Sequence, residues 1–289
     1  MGFVDGKQVL ITGATNGIGL AAAEALAARG AQLAVVARSE ERARDAVARI
    51  ERAGATAGSV DVLLADLSSQ ASVRQLAADA LARYPRIDVL VNNAGAIFAT
   101  RQLTEDGIEL TWAVNHLAPF LLSTLLLERL KESAPARVIT TSSDAHSGSK
   151  IPFDDLGAAR SYSGRGFGRY GETKLANILF TAELARRLEG TGVTANCFHP
   201  GTVATGFNRN NGALMRLAMT VVKPFSRSPE RGAETLVWLA DAPEVGNETG
   251  GYFVDCRRRT PSTEAQDAET ARRLWEVSEE QTGERAPAG

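Results

Sequence analysis

Short apolar runs rich in β-branched residues alternate with longer stretches of helical periodicity along nearly all of this chain. Several of the short runs are apolar without interruption, among them VLIT, LAVVA and VLV, as is typical of strands buried on both faces. Such alternation favours a parallel sheet with right-handed crossovers and a layer of helices on each face. The sequence therefore predicts a doubly wound α/β fold with a seven-stranded parallel sheet. The predicted strands are residues 8–12, 32–37, 60–64, 89–91, 138–141, 193–198 and 252–254.

Nothing in the sequence reads as a linker or an internal repeat, so we expect a single domain over residues 1–289. Two segments break the rhythm of strands and helices, and both follow predicted strands. Ligands of open α/β sheets bind beyond the carboxyl ends of the strands. We therefore expect substrate loops near residues 144–169 and 207–229. Apolar spacing also predicts a C-terminal helix near residues 263–282.

The composition is that of an ordinary globular protein. Of the 289 residues 44% are hydrophobic and 23% are charged, and the net charge is −2, which gives no general attraction to nucleic acid or to an acidic membrane. No run reaches the roughly 18 apolar residues that a membrane span needs. The two cysteines, Cys197 and Cys256, lack metal-ligand spacing; a disulfide between them stays open, but nothing requires one. We expect a reducing compartment and a cytoplasmic protein.

A glycine-rich loop, TGATNGIG (residues 12–19), joins the first predicted strand to a predicted helix at residues 18–29. Gly13, Gly17 and Gly19 let the backbone turn tightly and approach a pyrophosphate closely. The helix N-terminus behind them offers N–H groups and the positive end of its dipole to that anion. Because the loop follows a strand and opens a helix, we interpret it as a dinucleotide-binding loop of Rossmann type.

The end of the second predicted strand indicates which dinucleotide binds. An acid there would bond both ribose hydroxyls of NAD, but this chain has Ala37 followed by Arg38. No carboxylate repels a 2′-phosphate, and the guanidinium of Arg38 can pair with it. The sequence therefore predicts NADP(H) in preference to NAD(H); the alternative is an ordinary exposed arginine.

Polar residues at the next strand ends extend the predicted cofactor cleft. Asp66 follows the third strand, where a carboxylate can accept a hydrogen bond from the adenine amino group or cap the next helix. The sequence NNAG (residues 92–95) ends the fourth strand, where amide side chains and a small-residue turn can line the cleft. Each signal is ambiguous alone, and their order at successive strand ends supports a common site.

Tyr170 and Lys174 are four residues apart on a predicted helix, so they share one face. A phenol has a pKa of about 10, and bringing it near 7 requires roughly 4 kcal/mol. A cation about 4 Å away supplies an effect of that order at an effective dielectric constant near 20, so we predict that Lys174 lowers the pKa of Tyr170.

Two further polar residues are candidates for the same site. Ser143 ends the fifth strand and can bond a substrate oxygen. Asn115 lies mid-helix, where Asn is disfavoured, which favours a polar role; the alternative is an Asn that is exposed or bonded back to its helix.

In combination these motifs resemble the short-chain dehydrogenase/reductase family, whose pattern is TGxxxGxG, NNAG, an Asn, a Ser and YxxxK. The stretches VNHLAPFLLSTLLLERLKESAPARVITTSSDAH, KLANILFTAELARRL and HPGTVAT are further similar to its retinol dehydrogenase-like branch. The resemblance implies a catalytic tetrad of Asn115, Ser143, Tyr170 and Lys174. By that resemblance Tyr170 is the general acid/base, Lys174 bonds the nicotinamide ribose and lowers the pKa of Tyr170, and Asn115 holds a water for a proton relay.

The resemblance also implies that Thr202 and the backbone of Val203 meet the nicotinamide carboxamide, and that the protein forms a homo-oligomer. No metal site is predicted, and packing or capping roles are expected for the three histidines. The residues predicted to bind the cofactor are Gly13, Thr15, Asn16, Gly17, Ile18, Gly19, Arg38, Asp66, Leu67, Asn93, Ala94, Gly95, Tyr170, Lys174, Pro200, Gly201 and Val203.

The predicted function is NADP(H)-dependent interconversion of an alcohol and its aldehyde or ketone. Apolar residues in segments 151–167 and 207–225 favour a fairly apolar small-molecule substrate, although core packing beneath a lid explains them nearly as well. The N-terminus lacks the apolar anchor that membrane-bound retinol enzymes often carry, which argues against a retinoid. One alternative is a cofactor-bound sensor or scaffold, but such proteins commonly lose the Tyr or the Lys. The other is an epimerase or dehydratase, but these usually have a TGxxGxxG loop.

Overall fold

A computed structural model describes residues 2–203 and 227–285 of the chain. In these ranges the strands form one sheet of eight, in the spatial order β3-β2-β1-β4-β5-β6-β7-β8. The strands are β1 (Gln8–Thr12), β2 (Gln32–Ala37), β3 (Val60–Leu64), β4 (Val89–Asn92), β5 (Ala136–Thr141), β6 (Val193–His199), β7 (Tyr252–Val254) and β8 (Arg257–Arg259).

The first seven strands are parallel, as predicted, and β8 runs antiparallel to β7 at the edge of the sheet. The predicted count of seven is therefore one short. Asp255 and Cys256 connect β7 to β8 with φ angles of 51° and 55°, and positive φ at both positions is characteristic of a two-residue type I′ hairpin turn. β8 consists of three exposed arginines, so it lacks the apolar alternation by which a strand is recognised.

Helices connect the strands, and none that the structure describes is long and apolar enough to cross a membrane. A π-helical turn (Ala113–Leu117) joins α4 to α5, and short 3₁₀ turns precede several other elements. The helices are α1 (Gly17–Ala27), α2 (Glu40–Arg52), α3 (Gln70–Arg83), α4 (Leu110–Trp112), α5 (Ala118–Leu125), α6 (Leu127–Glu132), α7 (Phe167–Arg187), α8 (Pro229–Asp241) and α9 (Ala268–Thr282).

The core lies on both faces of the sheet. On β1, Val9 and Ile11 pack against the layer that contains α1 and α8, whereas Leu10 packs against the layer that contains α3, α5 and α7. Because alternate residues of one strand are buried by opposite layers, the strand sequence is apolar throughout.

The C-terminal helix α9 covers α7. Its Trp275 stacks on Phe180, with 5.9 Å between ring centroids, and meets Phe120 edge-on at 4.9 Å. α9 starts later than the predicted helix because Asp267 caps it and a 3₁₀ turn precedes the cap. The side chain of Asp267 accepts hydrogen bonds from the backbone N–H groups of Glu269 and Thr270.

The strand order reverses between β1 and β4. At such a reversal the helices leave the sheet in opposite directions and a crevice opens at the carboxyl ends of the strands. The topology therefore brings the glycine loop after β1 beside the NNAG turn after β4.

Candidate active site

The glycine loop after β1 packs directly against the turn after β4. Gly13 has a φ of +69°, and a Cβ added to it would lie 2.8 Å from the Cα of Ala94. A Cβ on Gly19 would lie 2.2 Å from the carbonyl oxygen of Gly13 and 2.4 Å from Asn93 Nδ2. The packing of the glycine loop against itself and against the turn after β4 therefore requires glycine at positions 13 and 19.

Thr12 and Asn93 join the ends of β1 and β4. Thr12 Oγ1 accepts hydrogen bonds from the backbone N–H groups of Asn93 (3.0 Å) and Ala94 (3.1 Å). In return, Asn93 Nδ2 donates to the carbonyl oxygen of Thr12 (3.2 Å), and Asn93 Oδ1 accepts from Thr141 Oγ1 on β5 (3.3 Å). Asn93 thus holds three strand ends together. Sequence reasoning missed Thr12 and Thr141, whose signal is a hydroxyl at the last position of a strand.

We expect Gly19→Ala to lower the free energy of unfolding by roughly 1–3 kcal/mol and to weaken dinucleotide binding, because its Cβ overlaps backbone that cannot move independently. Thermal denaturation and a dinucleotide titration measure the two effects. Gly157→Ala is the matched control, since the Arg101 side chain at 3.8 Å is its nearest described neighbour. Equal stability of the two variants would contradict the close packing of the loop.

Helix α1 begins in the crevice without a capping side chain. Its N-cap residue is Asn16, which is exposed and makes no side-chain capping hydrogen bond to the described chain. The first N–H groups of α1 and its dipole are therefore available to a phosphate. Thr15 and Gly17 flank the N-cap and are half-buried, and Ile18 packs against the core.

Arg38 follows β2 at the same edge of the sheet as the glycine loop. Its side chain is exposed, and no described residue forms an ion pair with it. This placement fits a guanidinium that meets a ligand phosphate.

The segment after β3 is fixed mainly by its own turn. Asp66 is exposed, and its Oδ1 accepts from the backbone N–H (2.9 Å) and hydroxyl (2.7 Å) of Ser68. The residue that caps α3 is Ser69, so Asp66 stabilises the turn and does not cap the helix. The side chain of Leu67 packs against the core.

Tyr170, Lys174 and Ser143 meet where α7 crosses the end of β5. Lys174 Nζ lies 5.4 Å from the centroid of the Tyr170 ring, and the side chain of Ser143 hydrogen-bonds to that of Tyr170. Lys174 is 2% exposed, and its Nζ donates to the carbonyl oxygen of Thr141 at 3.0 Å.

Asn115 lies in the π-helical turn and is fully buried. Its Oδ1 accepts from the N–H of Ala96 (2.8 Å), and its Nδ2 donates to Ala96 O (2.9 Å) and to Thr173 Oγ1 of α7 (3.1 Å). A Cβ on Gly95 would lie 3.4 Å from both Asn115 Oδ1 and Lys174 Nζ. Asn115 therefore bonds across the crevice and not to its own helix. Single π turns occur frequently at functional sites.

The electrostatics of the Tyr–Lys pair differ from the sequence prediction. Burial raises the pKa of Tyr170 to about 12, and the hydrogen bond from Ser143 opposes that rise. Burial also lowers the pKa of Lys174 to about 7. The predicted lowering of the Tyr170 pKa by Lys174 is not seen for these two groups by themselves, because the same desolvation penalises phenolate and ammonium.

His146 holds Ser143 in place. Its Nε2 accepts from the backbone N–H of Ser262 (3.2 Å), so its Nδ1 carries the proton and donates to the carbonyl oxygen of Ser143 (2.7 Å). His199 Nδ1 likewise accepts from the N–H of Asp144 (3.2 Å). Both histidines thus stabilise the segment after β5 by bonding its backbone, in line with the capping roles expected for them from the sequence.

The segment after β6 closes the crevice near α1. Pro200 and Gly201 are half-buried; Gly201 has a φ of +80°, and an added Cβ would lie 2.6 Å from Arg227 Nε. Val203 lies against Gly232 of α8, where a Cβ would be 2.7 Å from Val203 Cγ2 and 3.2 Å from Ile18 Cγ1. Gly232 was not predicted. The predicted substrate loop near residues 207–229 lies almost wholly outside the described residues.

The donors gathered here fit a nicotinamide dinucleotide. An uncapped helix N-terminus and an exposed guanidinium suit the phosphates, and a buried ammonium lies beside the Tyr170 ring. The residues that would hold the nucleotide come from the ends of β1, β2 and β4 and from α7.

Fold and site together define an α/β dinucleotide-binding oxidoreductase. Residues 7–215 match the sequence profile described as short chain dehydrogenase. The chain belongs to the short-chain dehydrogenase/reductase family, which confirms the resemblance and the fold class predicted from the sequence.

Relatives cover almost the whole chain. Retinol dehydrogenase 14 of Homo sapiens is 42% identical over an alignment of 297 positions, which covers 98% of this chain and 88% of that protein. Retinol dehydrogenase 12 of Mus musculus is 45% identical over 280 residues, 97% of this chain and 87% of that protein. Among solved structures, a short chain dehydrogenase from Burkholderia cenocepacia J2315 in complex with NADP has a TM-score of 0.69 and 29% identity, covering 91% of this chain and 99% of that one.

Proposed function

We propose that the protein uses NADP(H) to interconvert an alcohol and its aldehyde or ketone, with a fairly apolar small molecule as substrate. The observation that carries the proposal is the meeting of Tyr170, Ser143, Lys174 and Asn115 beside Gly95 in one crevice. A general acid, a hydroxyl donor and a buried cation at one point suit proton transfer to a carbonyl oxygen.

In the reductive direction the hydroxyls of Tyr170 and Ser143 both bond the carbonyl oxygen, and Tyr170 gives it a proton. When bound, the reduced nicotinamide supplies a hydride, and hence two electrons, to the carbonyl carbon. Lys174 lies beside the Tyr170 ring, and burial lowers its pKa to about 7. Asn115 holds the turn after β4 against α7 through Ala96 and Thr173.

The apolar character of the substrate rests on fewer residues than the sequence suggests. Ile151 belongs to the buried cluster that contains Trp112, and the partly buried Phe153 and Leu156 pack against that cluster, as the packing interpretation of that loop expected. Phe167 is 47% exposed at the start of α7, one turn before Tyr170. This ring, together with the names of the retinol dehydrogenases among the relatives, supports a lipophilic carbonyl or alcohol.

The function is tested by following NADPH and NADH absorbance with a panel of apolar and polar carbonyls, and the oxidised cofactors with the matching alcohols. We expect turnover with NADPH and an apolar aldehyde or ketone. A cofactor-binding sensor would bind NADPH, as seen by fluorescence, and turn over none of the panel.

Arg38→Asp is expected to lower the ratio of NADPH to NADH specificity, measured as kcat/KM, by about 10- to 100-fold. The guanidinium that would pair with the 2′-phosphate is replaced by a carboxylate that repels it and can bond the ribose hydroxyls of NADH. Arg52→Asp, an equal charge change at the far end of α2, is the control and should leave the ratio unchanged. An unchanged ratio in Arg38→Asp would assign the phosphate to other residues.

A further inference from the structure

Among the described ion pairs, only that of Glu109 and Arg169 has both side chains out of solvent. Their side chains are 0% and 1% exposed, and Arg169 Nε lies 2.7 Å from Glu109 Oε2. Neither residue is one of the four proposed catalytic groups. Arg169 directly precedes Tyr170 in α7, and Glu109 directly precedes α4, which continues through the π turn to Asn115.

At the Glu109 end, the carboxylate caps the helix that leads to Asn115. Oε1 accepts from the N–H of Thr111 and Oε2 from the N–H of Trp112, each at 2.9 Å. The hydroxyl of Tyr162 approaches Oε1 at 3.5 Å. The contacts of the buried carboxylate thus come from three pieces of chain, which are the start of α4, the loop that carries Tyr162 and the first turn of α7.

At the Arg169 end, the guanidinium fixes the first turn of α7. The N-cap of α7 is Gly166, which provides no capping side chain. In this first turn, Arg169 donates to Glu109, to Glu172 Oε2 at 2.9 Å and to the carbonyl oxygen of Leu156, and its guanidinium stacks 4.6 Å over the Trp112 ring.

The same pair reaches the predicted substrate loop. Leu156 and Tyr162 both belong to that loop, and the Tyr162 hydroxyl also donates to the carbonyl oxygen of Phe98 (2.8 Å) and lies 3.1 Å from Thr111 Oγ1. One buried network therefore ties together the segment after β4, the loop before α7 and the turn that carries Tyr170.

A buried pair is weak evidence of stability, because desolvation of the two charges offsets most of their attraction and an apolar pair of similar size often does as well. Its value lies in geometry, since a rigid guanidinium fork holds several acceptors in one arrangement. We propose that Glu109 and Arg169 are positioning residues, which set Tyr170 against Asn115 and hold the substrate loop over both. This inference rests on the proposed function.

The test measures Arg169→Lys with NADPH and the best carbonyl of the panel. Lysine keeps the charge toward Glu109 but loses the fork that reaches Glu172 and Leu156. We expect kcat to fall at least tenfold, the KM for NADPH to stay within twofold, and the apparent pKa in the pH profile of kcat to shift. Arg186→Lys is the matched control, an exposed arginine on the same helix paired with Glu183, and should leave all three unchanged.

A second variant separates positioning from folding. Glu109→Leu/Arg169→Met replaces the pair by apolar side chains and should keep a cooperative unfolding transition near that of the wild type, while kcat stays at least tenfold low. Wild-type kcat in either folded variant overturns the inference. Failure of both variants to fold also overturns it, because the pair is then a folding requirement. If Tyr170→Phe loses turnover and Arg169→Lys does not, only this inference fails; if Tyr170→Phe keeps turnover, the proposed function fails.

Discussion

Tyr170→Phe is expected to reduce NADPH-dependent carbonyl turnover by about 10³-fold or more, with the protein folded and NADPH still bound. The change removes only the hydroxyl that gives its proton to the substrate oxygen, and positioned proton transfer contributes typically about 10²–10⁴-fold. The phenyl ring remains under Lys174, so the packing at the start of α7 is preserved.

The measurement is kcat under saturating NADPH, with NADPH affinity followed by fluorescence and folding by circular dichroism. Tyr84→Phe is the matched control, since its hydroxyl bonds to Asp61 on β3, away from the crevice. We expect Tyr84→Phe to keep kcat within twofold. Near wild-type turnover in Tyr170→Phe would assign the proton transfer to another group.

Lys174→Met is expected to change activity and stability in opposite directions. Turnover should fall by about 10²-fold or more, because the buried cation that supports proton exchange by Tyr170 is lost. Stability at pH 6 should rise by roughly 3–5 kcal/mol, since the burial that lowers the pKa of Lys174 from 10.5 to about 7 also destabilises the folded protein. The carbonyl oxygen of Thr141 keeps a donor, Asn177 Nδ2, at 3.1 Å.

The stability difference should depend on pH with a defined sign. Below pH about 7 the ammonium is charged in both folded and unfolded chains, so the whole penalty acts on the wild type. Between about 7 and 10.5 the unfolded chain binds more protons than the folded one, so the wild type gains stability as pH rises. Above pH about 10.5 Lys174 is neutral in both the folded and the unfolded chain, so its ionisation no longer contributes to the difference in stability between the two proteins.

Chemical denaturation of the cofactor-free proteins at pH 6 and at pH 9 measures this difference. Lys131→Met, at a lysine with an exposed glutamate partner, is the control and should show little change at either pH. A Lys174→Met variant that is less stable than the wild type at pH 6 would show that the ammonium is well solvated or paired in the folded protein.

Much of the fold and of the site was accessible from the sequence because the signals are local. Short apolar runs, several of them uninterrupted, marked the seven parallel strands. The spacing of Tyr170 and Lys174 placed them on one helix face, and Arg38 in place of an acid after β2 indicated a guanidinium that can pair with a 2′-phosphate. These inferences depend on neighbours a few residues away, where chain geometry alone decides which side chains share a face.

Other features depend on residues far apart in sequence, and the sequence did not reveal them. Nothing near Glu109 indicates Arg169 as its partner, since the pair forms only when α7 packs against the segment after β4. The Arg257–Arg259 strand has no apolar pattern and exists because a hairpin turn lays it against β7. The sequence allowed two roles for Asp66, adenine binding or helix capping, and the structure adds hydrogen bonds to Ser68 within the same turn.

By itself the sequence determined the class of fold, the crevice and the candidate groups of the site, since apolar periodicity, glycine turns and helical spacing act over short stretches of chain. The tertiary structure decided the electrostatic state of those groups. Lys174 was expected to lower the pKa of Tyr170, but burial between β5, α7 and the π turn dominates the pKa values of both groups. Desolvation depends on everything packed around a charge, and that packing exists only in the folded molecule.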